Sequence, residues 1–331
     1  MNKTYNSSNL LDLIGHTPLL FLESMSSDKV NLFAKLEGWN PGGSMKDRSA
    51  SYIIKQAEDK GLLKPGGRII ESSSGNFGIA LAMIGAAKGY TVKCVVDPRT
   101  TINNLKIMEA YGAEIEMVNT PHPEGGFQLA RINKVKELLL EYPNAYWPNQ
   151  YENEDNPTAY YNGVAKEVYD DMDGLVDIFV SPVSTCGLIT GCAKYLKEKN
   201  SDIKVIAVDA AGSTIFGGVP KNRKMTGIGG NIRPKILKED LIDHVMHVED
   251  HQGFEGCRKL VEKEALLVGA SSGAVIHATL EYLKNLKVEK PTPLNVVMVF
   301  PDNGDRYLNG FLKDMTLEED VPTKKLQMTL S

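Results

Sequence analysis

Apolar and polar positions follow two patterns along the chain, and each pattern predicts a different element. Short, almost continuously apolar runs predict strands that are covered on both faces. These runs are NLFAKLE, GRIIES, TVKCVVD, EIEMVN, AYWPNQ, DIFVSPV, VIAVDA, HVMHVED and NVVMVFP. Helical patterns lie between most of them, for example IALAMIGAAKGY, NLKIMEAYG, FQLARINKVKELLLEY, LITGCAKYLKEK and FEGCRKLVEKE. The alternation predicts an α/β fold with helices on both faces of parallel-rich sheets.

One stretch near residue 150, YPNAYWPNQYENEDNPTAYY, interrupts the alternation. It is rich in Pro, Asn and Tyr, and we interpret it as a crossing between two α/β lobes. A chain of 331 residues is long enough to give each lobe a core of its own. The C-terminal stretch TLEEDVPTKKLQMTLS is polar, and we expect it to pack poorly.

Composition and charge exclude several classes of function. Hydrophobic residues make up 42% and charged residues 24% of the chain, as in an ordinary globular protein. A net charge of −5 and an isoelectric point near 5.8 argue against non-specific binding to nucleic acid or to anionic membranes. No apolar run approaches the roughly 20 residues of a membrane span, and the N-terminus lacks the pattern of a signal peptide. We therefore expect a cytoplasmic protein that binds neither nucleic acid nor membranes.

Clusters of reactive or charged side chains do not predict a metal centre. The four cysteines form no C-x-x-C pair and are most simply free thiols: Cys94, Cys186, Cys192 and Cys257. Cys186 opens a predicted helix after a strand, so a reactive thiol stays open there. His244 and His247 face opposite sides of one predicted strand, so no metal site is expected with His251. The charged residues after the last strand are either functional or part of a salt-bridged turn, and we favour the turn: Asp302, Asp305 and Arg306.

Candidate chemistry lies in three loops of small residues that lead into predicted helices. They occur in GRIIESSSGNFGIALA, DIFVSPVSTCGLITGCA and ALLVGASSGAVIHA. In open α/β sheets ligands bind at the carboxyl ends of strands, and the N–H groups of helix N-termini bind anions. Each loop taken alone is also explained by helix capping, because Ser and Asn are common caps. Three such loops together favour an anion-binding site.

The second loop does not match the usual nucleotide motifs. STCGL lacks the Lys-Ser/Thr ending of a triphosphate-binding loop. Asp209 lies about twenty residues further on, where a dinucleotide site has its ribose-binding acid. However, the segment supplies only Gly187 and Gly191 of the G-x-G-x-x-G motif. A dinucleotide therefore stays a weaker alternative.

Lys46 occupies an unusual position for a cation. NPGGSMKDRSA predicts a tight turn and then a helix with Lys46 in its first turn, on the face of Ala50, Ile53 and Ala57. Burial and the field of a helix N-terminus both favour the neutral amine, which forms imines. Beside loops suited to a phosphate, this lysine suggests pyridoxal phosphate. The alternative is a lysine that extends past a short apolar stripe into solvent.

Six segments in order resemble the cysteine synthase family of fold-type II pyridoxal phosphate enzymes. They are NPGGSMKDR, ESSSGNFG, the Ser/Thr/Gly loop, GIGGN, GASSGA and PDNGDRYL. The resemblance implies the tryptophan synthase β-like fold, with a smaller mobile lobe at 42–148 and a larger lobe at 1–41 and 149–331. It also implies pyridoxal 5'-phosphate as cofactor, amino-acid substrates and a homodimer.

The resemblance further implies a role for individual residues. Lys46 is expected to hold the cofactor as an internal aldimine and to act as general base at the substrate Cα. Asn76 is expected to hydrogen bond the ring hydroxyl, and Ser271 to face the pyridine nitrogen. The loop expected to bind the phosphate consists of Ser184, Thr185, Cys186, Gly187 and Leu188. Substrate contacts are expected from Ser73, Ser74, Gly75, Arg131, Gln150, Tyr151 and Ser184.

AYWPNQYENE, SPVSTCG and VDAAGSTIFG resemble one subgroup of the family more closely, the N-(2-amino-2-carboxyethyl)-L-glutamate synthases. That subgroup joins O-phospho-L-serine to L-glutamate through an α-aminoacrylate, on the route to the 2,3-diaminopropionate of siderophores. Arg131 suits a phosphate leaving group, because a guanidinium binds phosphate in a bidentate manner. A solvated position at the edge of an amphipathic helix is the alternative for Arg131. A cysteine synthase that combines O-acetylserine or O-phosphoserine with sulfide, or a non-catalytic member that binds a partner, stays open.

Overall fold

A computed structural model describes residues 9–287 and 291–308. The C-terminal stretch TLEEDVPTKKLQMTLS lies outside the described residues. The strands are β1 Leu19–Phe21, β2 Val30–Leu36, β3 Arg68–Ser72, β4 Thr91–Val96, β5 Glu114–Met117, β6 Ile178–Pro182, β7 Lys204–Ala210, β8 His244–Val248 and β9 Leu294–Phe300. The helices are α1 Lys46–Asp59, α2 Asn76–Lys88, α3 Ile102–Ala110, α4 Gly126–Glu141, α5 Asp155–Tyr160, α6 Lys166–Asp171, α7 Gly187–Lys199, α8 Asp250–Glu264 and α9 Ala270–Lys284. One π-helical turn, Tyr161–Ala165, joins α5 to α6.

The strands form two sheets. One has six strands in the order β1-β2-β9-β6-β7-β8, and the other has three in the order β3-β4-β5. All strand pairs are parallel except the antiparallel edge pair of β1 and β2. In the centre of the large sheet, Val180 lies between Ile206 and Met298. Because β6, β7 and β9 run in the same direction, their carboxyl ends meet at one edge of the sheet.

Each sheet is covered by apolar residues on both faces. The large sheet separates one core cluster, to which α8 and α9 contribute, from a second cluster to which α7 contributes. The small sheet packs on one face against α1, α2 and α3 and on the other against α4. Helices therefore lie on both faces of both sheets, and the predicted α/β class is confirmed.

One expectation about strands is wrong, and one strand was not predicted. AYWPNQ is not a strand, since it contributes only an isolated bridge between Tyr146 and Ile69. Pro148 has no N–H for a ladder, which limits the pairing that this segment can make. The sequence patterns also missed β1, which has three residues and is too short to show a periodicity. The lobe boundaries at 42 and 148 stay a prediction, and the small sheet lies within them.

Candidate active site

A cavity of about 800 Å³ opens at the carboxyl ends of strands from both sheets. The N-termini of α1, α2 and α9 reach it. The structure brings most of the predicted site residues together in its wall: Lys46, Ser73, Ser74, Gly75, Asn76, Arg131, Gln150, Tyr151, Ser184, Thr185 and Ser271. Three predicted residues do not line it, namely Cys186, Gly187 and Leu188. The cavity thus unites segments more than two hundred residues apart in the sequence.

Lys46 is the first residue of α1 and lies in the cavity wall. Ala50, Ile53 and Ala57 are at most 1% exposed, so the face that Lys46 shares is the buried one, as predicted. Burial lowers the pKa of the Lys46 ammonium from 10.5 to about 8, and the charge of Asp302 opposes this shift only in part. A lysine that extends into open solvent does not fit these observations. The neutral amine is therefore accessible near physiological pH.

The phosphate loop leads directly into α7. Cys186 precedes the helix with a left-handed backbone, at φ +65°, and no side chain of this N-cap residue closes the helix end. The N–H groups of the first turn of α7 are thus left for another acceptor. Ser184 and Thr185 extend into the cavity beside that turn. Cys186, Gly187 and Leu188 are expected to bind the phosphate through their backbone N–H groups. Their absence from the cavity lining therefore does not exclude this role, which stays a prediction.

Packing explains the glycine at position 187, and burial makes the neighbouring thiol of Cys186 unreactive. A Cβ on Gly187 would lie 2.1 Å from Oδ1 of Asn156, so close packing already requires glycine there. Cys186 is 3% exposed, and burial raises the pKa of its thiol far above the ordinary value. The alternative of a reactive thiol at Cys186 is therefore wrong.

The loop before α2 is held from behind by the protein. The Ser73 hydroxyl accepts a hydrogen bond from the Gly78 N–H at 2.9 Å, which is the capping role weighed for this loop. Gln150 Nε2 donates to the Ser72 carbonyl at 3.3 Å. A Cβ on Gly75 would meet nothing within 4 Å, so the loop is open at this residue. One serine caps the helix, and the rest of the loop remains available to a ligand.

Asn76 is positioned by residues that the sequence patterns assigned to a turn. Its Nδ2 donates to Oδ2 of Asp302 at 2.6 Å, and Arg306 donates to its Oδ1. Asp302 also accepts a hydrogen bond from the Tyr307 hydroxyl at 2.5 Å, lines the cavity and is 2% exposed. Asp302 thus lies in the cavity wall, where a functional role fits better than a turn alone, while Arg306 lies in the turn and contacts Asn76 from there. The motif PDNGDRYL was the available signal. The second N–H of the Asn76 amide remains for a ring hydroxyl.

Arg131 is buried in the cavity wall and is 7% exposed. Its Nη1 donates to the Ser74 hydroxyl at 2.7 Å, and its Nε lies 3.4 Å from Oδ2 of Asp97. The solvated position weighed for Arg131 is therefore wrong. Asp97 follows directly after β4 and lines the cavity. It is a site residue that the sequence analysis did not predict.

Tyr151 and Ser271 complete the predicted set. Burial raises the pKa of the Tyr151 hydroxyl, which hydrogen bonds with the side chain of Gln128. Ser271 is the second residue of α9 and is 2% exposed. Its hydroxyl places a neutral group in the cavity wall, and no N-cap side chain closes α9.

The remaining alternatives do not find support at this cavity. Asp209 is fully buried, accepts a hydrogen bond from the Ala210 N–H at 2.8 Å and does not line the cavity, so it is not placed to bind a ribose there. Residues 9–287 and 291–308 contain no group of three or more His, Cys, Asp or Glu placed to hold a metal ion. In the same part of the chain, no helix is long and apolar enough to cross a membrane.

The donor set fits pyridoxal phosphate. The cavity combines a half-buried amine of lowered pKa, an amide and a neutral serine hydroxyl, and the uncapped N-terminus of α7 follows directly after Ser184 and Thr185 in its wall. An imine-forming nitrogen and an anion site are the two groups that this cofactor needs. Lys46 would hold the aldehyde, the start of α7 the phosphate, and Asn76 and Ser271 the ring.

Comparisons with known proteins agree with this assignment. Residues 10–302 match the family described as pyridoxal-phosphate dependent enzyme. An O-ureido-L-serine synthase superposes with a TM-score of 0.86 at 31% identity, covering 95% of this chain and 97% of that one. An O-acetylserine dependent cystathionine beta-synthase from Helicobacter pylori gives 0.84 at 35% identity, over 92% and 98%. A hydrogen sulfide-producing enzyme from Fusobacterium nucleatum gives 0.85 at 36%, over 91% and 99%.

These matches extend over nearly the whole chain and confirm the predicted fold-type II class. They also leave the non-catalytic alternative without support, since the matched proteins are named as enzymes and Lys46 lies in the cavity wall with a lowered pKa. The chain belongs to the family of pyridoxal-phosphate dependent enzymes, and pyridoxal 5'-phosphate is its cofactor.

Proposed function

We propose that this enzyme replaces the phosphate of O-phospho-L-serine by the amine of L-glutamate, which gives N-(2-amino-2-carboxyethyl)-L-glutamate and phosphate. The Cβ–O bond of the donor breaks, and a Cβ–N bond to the acceptor forms. The Cα proton leaves before the first step and returns after the second. Bound pyridoxal phosphate supplies the electron sink for these bond changes. The observation that carries the proposal is a buried guanidinium, that of Arg131, in the cavity wall.

Lys46 would move the proton at Cα. Its pKa of about 8, set by burial, leaves a useful fraction of the amine neutral near pH 7 and so able to act as a base. Asp302 lies close enough to affect the charge of Lys46, and it also fixes Asn76. Asp302 would therefore both orient Asn76 at the cofactor ring and raise the pKa of Lys46, the proposed base.

The loop Ser73, Ser74 and Gly75, together with Gln150, would receive the substrate α-carboxylate. The loop precedes α2, whose N-terminus favours an anion. Because Gln150 and Gly78 already hold the loop from behind, its open side keeps one geometry when substrate enters. A fixed loop places Cα of the donor at a constant distance from Lys46.

Arg131 would bind the leaving phosphate. A phosphate dianion gains charge-assisted, bidentate hydrogen bonds from a guanidinium, whereas an acetyl group does not need a cation. Arg131 contacts the Ser74 hydroxyl and therefore lies beside the loop that would hold the substrate carboxylate. Tyr151 and Ser184 line the same cavity and would complete the donor pocket.

The resemblance to the glutamate-coupling subgroup supports further parts of the proposal. We propose that the enzyme is a cytoplasmic homodimer that supplies 2,3-diaminopropionate for a siderophore. We also propose that a smaller lobe, residues 42–148, closes on the substrate. Light scattering of the purified enzyme would test the dimer, since a monomer mass near 36.4 kDa would contradict it.

A cysteine synthase is the second candidate. It is favoured by the names of two similar structures, an O-acetylserine dependent cystathionine beta-synthase and a hydrogen sulfide-producing enzyme. In that case O-acetylserine or O-phosphoserine would be the donor and sulfide the acceptor. With O-acetylserine the Arg131 guanidinium would face a neutral ester, whereas with O-phosphoserine it would bind the phosphate as in the first proposal.

One experiment separates the two candidates. The enzyme is supplied with O-phosphoserine or O-acetylserine and with glutamate or sulfide, in all four combinations. Release of phosphate and the mass of the product are measured, with Lys46→Ala as the inactive control. We expect the coupled amino acid from O-phosphoserine and glutamate. Cysteine as the product, with glutamate not consumed, would overturn the proposal in favour of the second candidate.

A further inference from the structure

Two arginines outside the predicted site line the same cavity. Arg99 follows β4 of the small sheet, and Arg223 lies in the segment 211–237 between β7 and β8 of the large sheet. The two guanidiniums therefore approach the cavity from different parts of the fold. Burial lowers the pKa of Arg223, the carboxylates of Asp209 and Asp250 oppose this shift, and the charge of Arg99 adds to it. An anion bound between them would relieve this repulsion.

The arginines that line the cavity share few carboxylates in direct contact. Asp97 is shared, because its Oδ1 lies 3.2 Å from Nε of Arg99 and its Oδ2 lies 3.4 Å from Nε of Arg131. One carboxylate thus faces two guanidiniums. The short hydrogen bonds of Arg223 go to neutral acceptors, the Gly212 carbonyl at 2.7 Å and Oδ1 of Asn231 at 2.9 Å. Arg223 therefore adds a positive charge that the groups it bonds do not neutralise.

Arg131 and Arg99 lie at different depths in the cavity, as their exposed fractions show. The side chain of Arg131 is 9% exposed, whereas that of Arg99 is 60% exposed and lies over the Phe127 ring at 4.8 Å. Arg131 is thus a deep group, and Arg99 is at the mouth. A donor that must reach Lys46 first would occupy the deep position. The acceptor, which arrives after phosphate has left, would approach past Arg99 and Arg223.

We propose that Arg99 and Arg223 bind the side-chain carboxylate of an amino-dicarboxylic acid acceptor and so select such acids over their neutral analogues. The inference rests on the proposed β-replacement and identifies the part of the site that recognises the second substrate. Two guanidiniums suit one carboxylate, because each has N–H groups left to donate beyond those that bond the protein. The α-amine of the acceptor is then left free to reach Cβ of the donor.

The test compares an acid with its amide. The ratio of kcat/KM for L-glutamate to that for L-glutamine is measured for the holoenzyme, for Arg99→Gln and for Arg223→Gln. We expect this ratio to fall about 10- to 100-fold in each variant, as for the loss of a charged hydrogen bond. Arg233→Gln is the matched control, because Arg233 lies in the same segment, pairs with Glu239 at 2.5 Å and does not line the cavity. Its ratio should equal that of the wild type.

A binding measurement separates this inference from the proposed function. Glutarate, a diacid without an amine, is titrated into the same holoenzymes by calorimetry. If glutamate is coupled but the ratio and the glutarate affinity are unchanged in both variants, the arginine site is overturned and the proposed function stands. If glutamate is not coupled while glutarate binds the wild type alone, the arginine site stands and the proposed acceptor fails. If glutamate is not coupled and glutarate binds the variants as it binds the wild type, both fail. Should Arg223→Gln not fold, the exposed Arg99→Gln still decides the outcome.

Discussion

The position of Lys46 gives a quantitative prediction about its titration. An exposed lysine with a pKa of 10.5 is neutral in about 0.03% of molecules at pH 7. Burial lowers the pKa of Lys46 to about 8, so about 10% of its amines are neutral at that pH. The enzyme without cofactor should therefore capture an aldehyde roughly 300-fold faster at pH 7 than the exposed lysine does.

The assay removes the cofactor with hydroxylamine and follows the absorbance change when pyridoxal phosphate is added back. We expect the capture rate to rise about tenfold per pH unit up to pH 8 and then to level off. Asp302→Asn removes a charge that raises the pKa of Lys46, so the change of slope should move to lower pH. Borohydride reduction and peptide mass spectrometry should place the pyridoxyl group on Lys46. A rate that keeps rising to pH 10.5, or a label on another lysine, would refute the reasoning.

Three further predictions concern buried side chains: Arg131, Glu71 and the four cysteines. Arg131→Met should lower kcat/KM for O-phosphoserine about 100-fold, because it removes the charged partner of phosphate. Arg131→Lys should recover part of the loss in phosphate release, and an unchanged donor KM would contradict the assignment. Burial raises the pKa of Glu71 to about 7, so the stability that its protonated form contributes is complete below pH 4.5 and lost as pH rises through 7. Urea unfolding should show the wild type losing about 2.5 kcal/mol relative to Glu71→Gln between pH 5 and 8, and a constant difference would exclude that pKa. Finally, all four cysteines are buried, so a thiol reagent should label none in the native protein and four after unfolding.

Local sequence patterns predicted the parts of this site that depend on local structure. The turn before α1, the periodicity that places Lys46 on the buried face and the small-residue loops are all properties of a few neighbouring residues. For the same reason, eight strand runs were found, and AYWPNQ was misjudged. Its apolar residues pack against the small sheet, but a ladder also needs a partner and N–H groups at the right register.

The missed residues depend on contacts between distant parts of the chain. Asp302 became part of the site because it reaches Asn76, which is 226 positions away. Asp97 matters because α4 brings Arg131 to it, and periodicity alone placed that arginine at the edge of a solvated face. Burial of a charge is compensated only by its tertiary partners, so it cannot be inferred from the pattern of one helix.

The junction before α7 shows how a local rule can be broken for a ligand. Cys186 has a left-handed backbone, which costs roughly 1 kcal/mol in a residue other than glycine. The same residue leaves α7 without a side-chain cap, which costs about 1 kcal/mol more. Two unfavourable features at one residue, beside a cavity that holds Ser184 and Thr185, point to a group that offsets them when bound. A phosphate at the start of α7, as predicted, would do so, because it would accept the N–H groups that the missing cap leaves unpaired. The local cost and the anion site are thus two aspects of one arrangement.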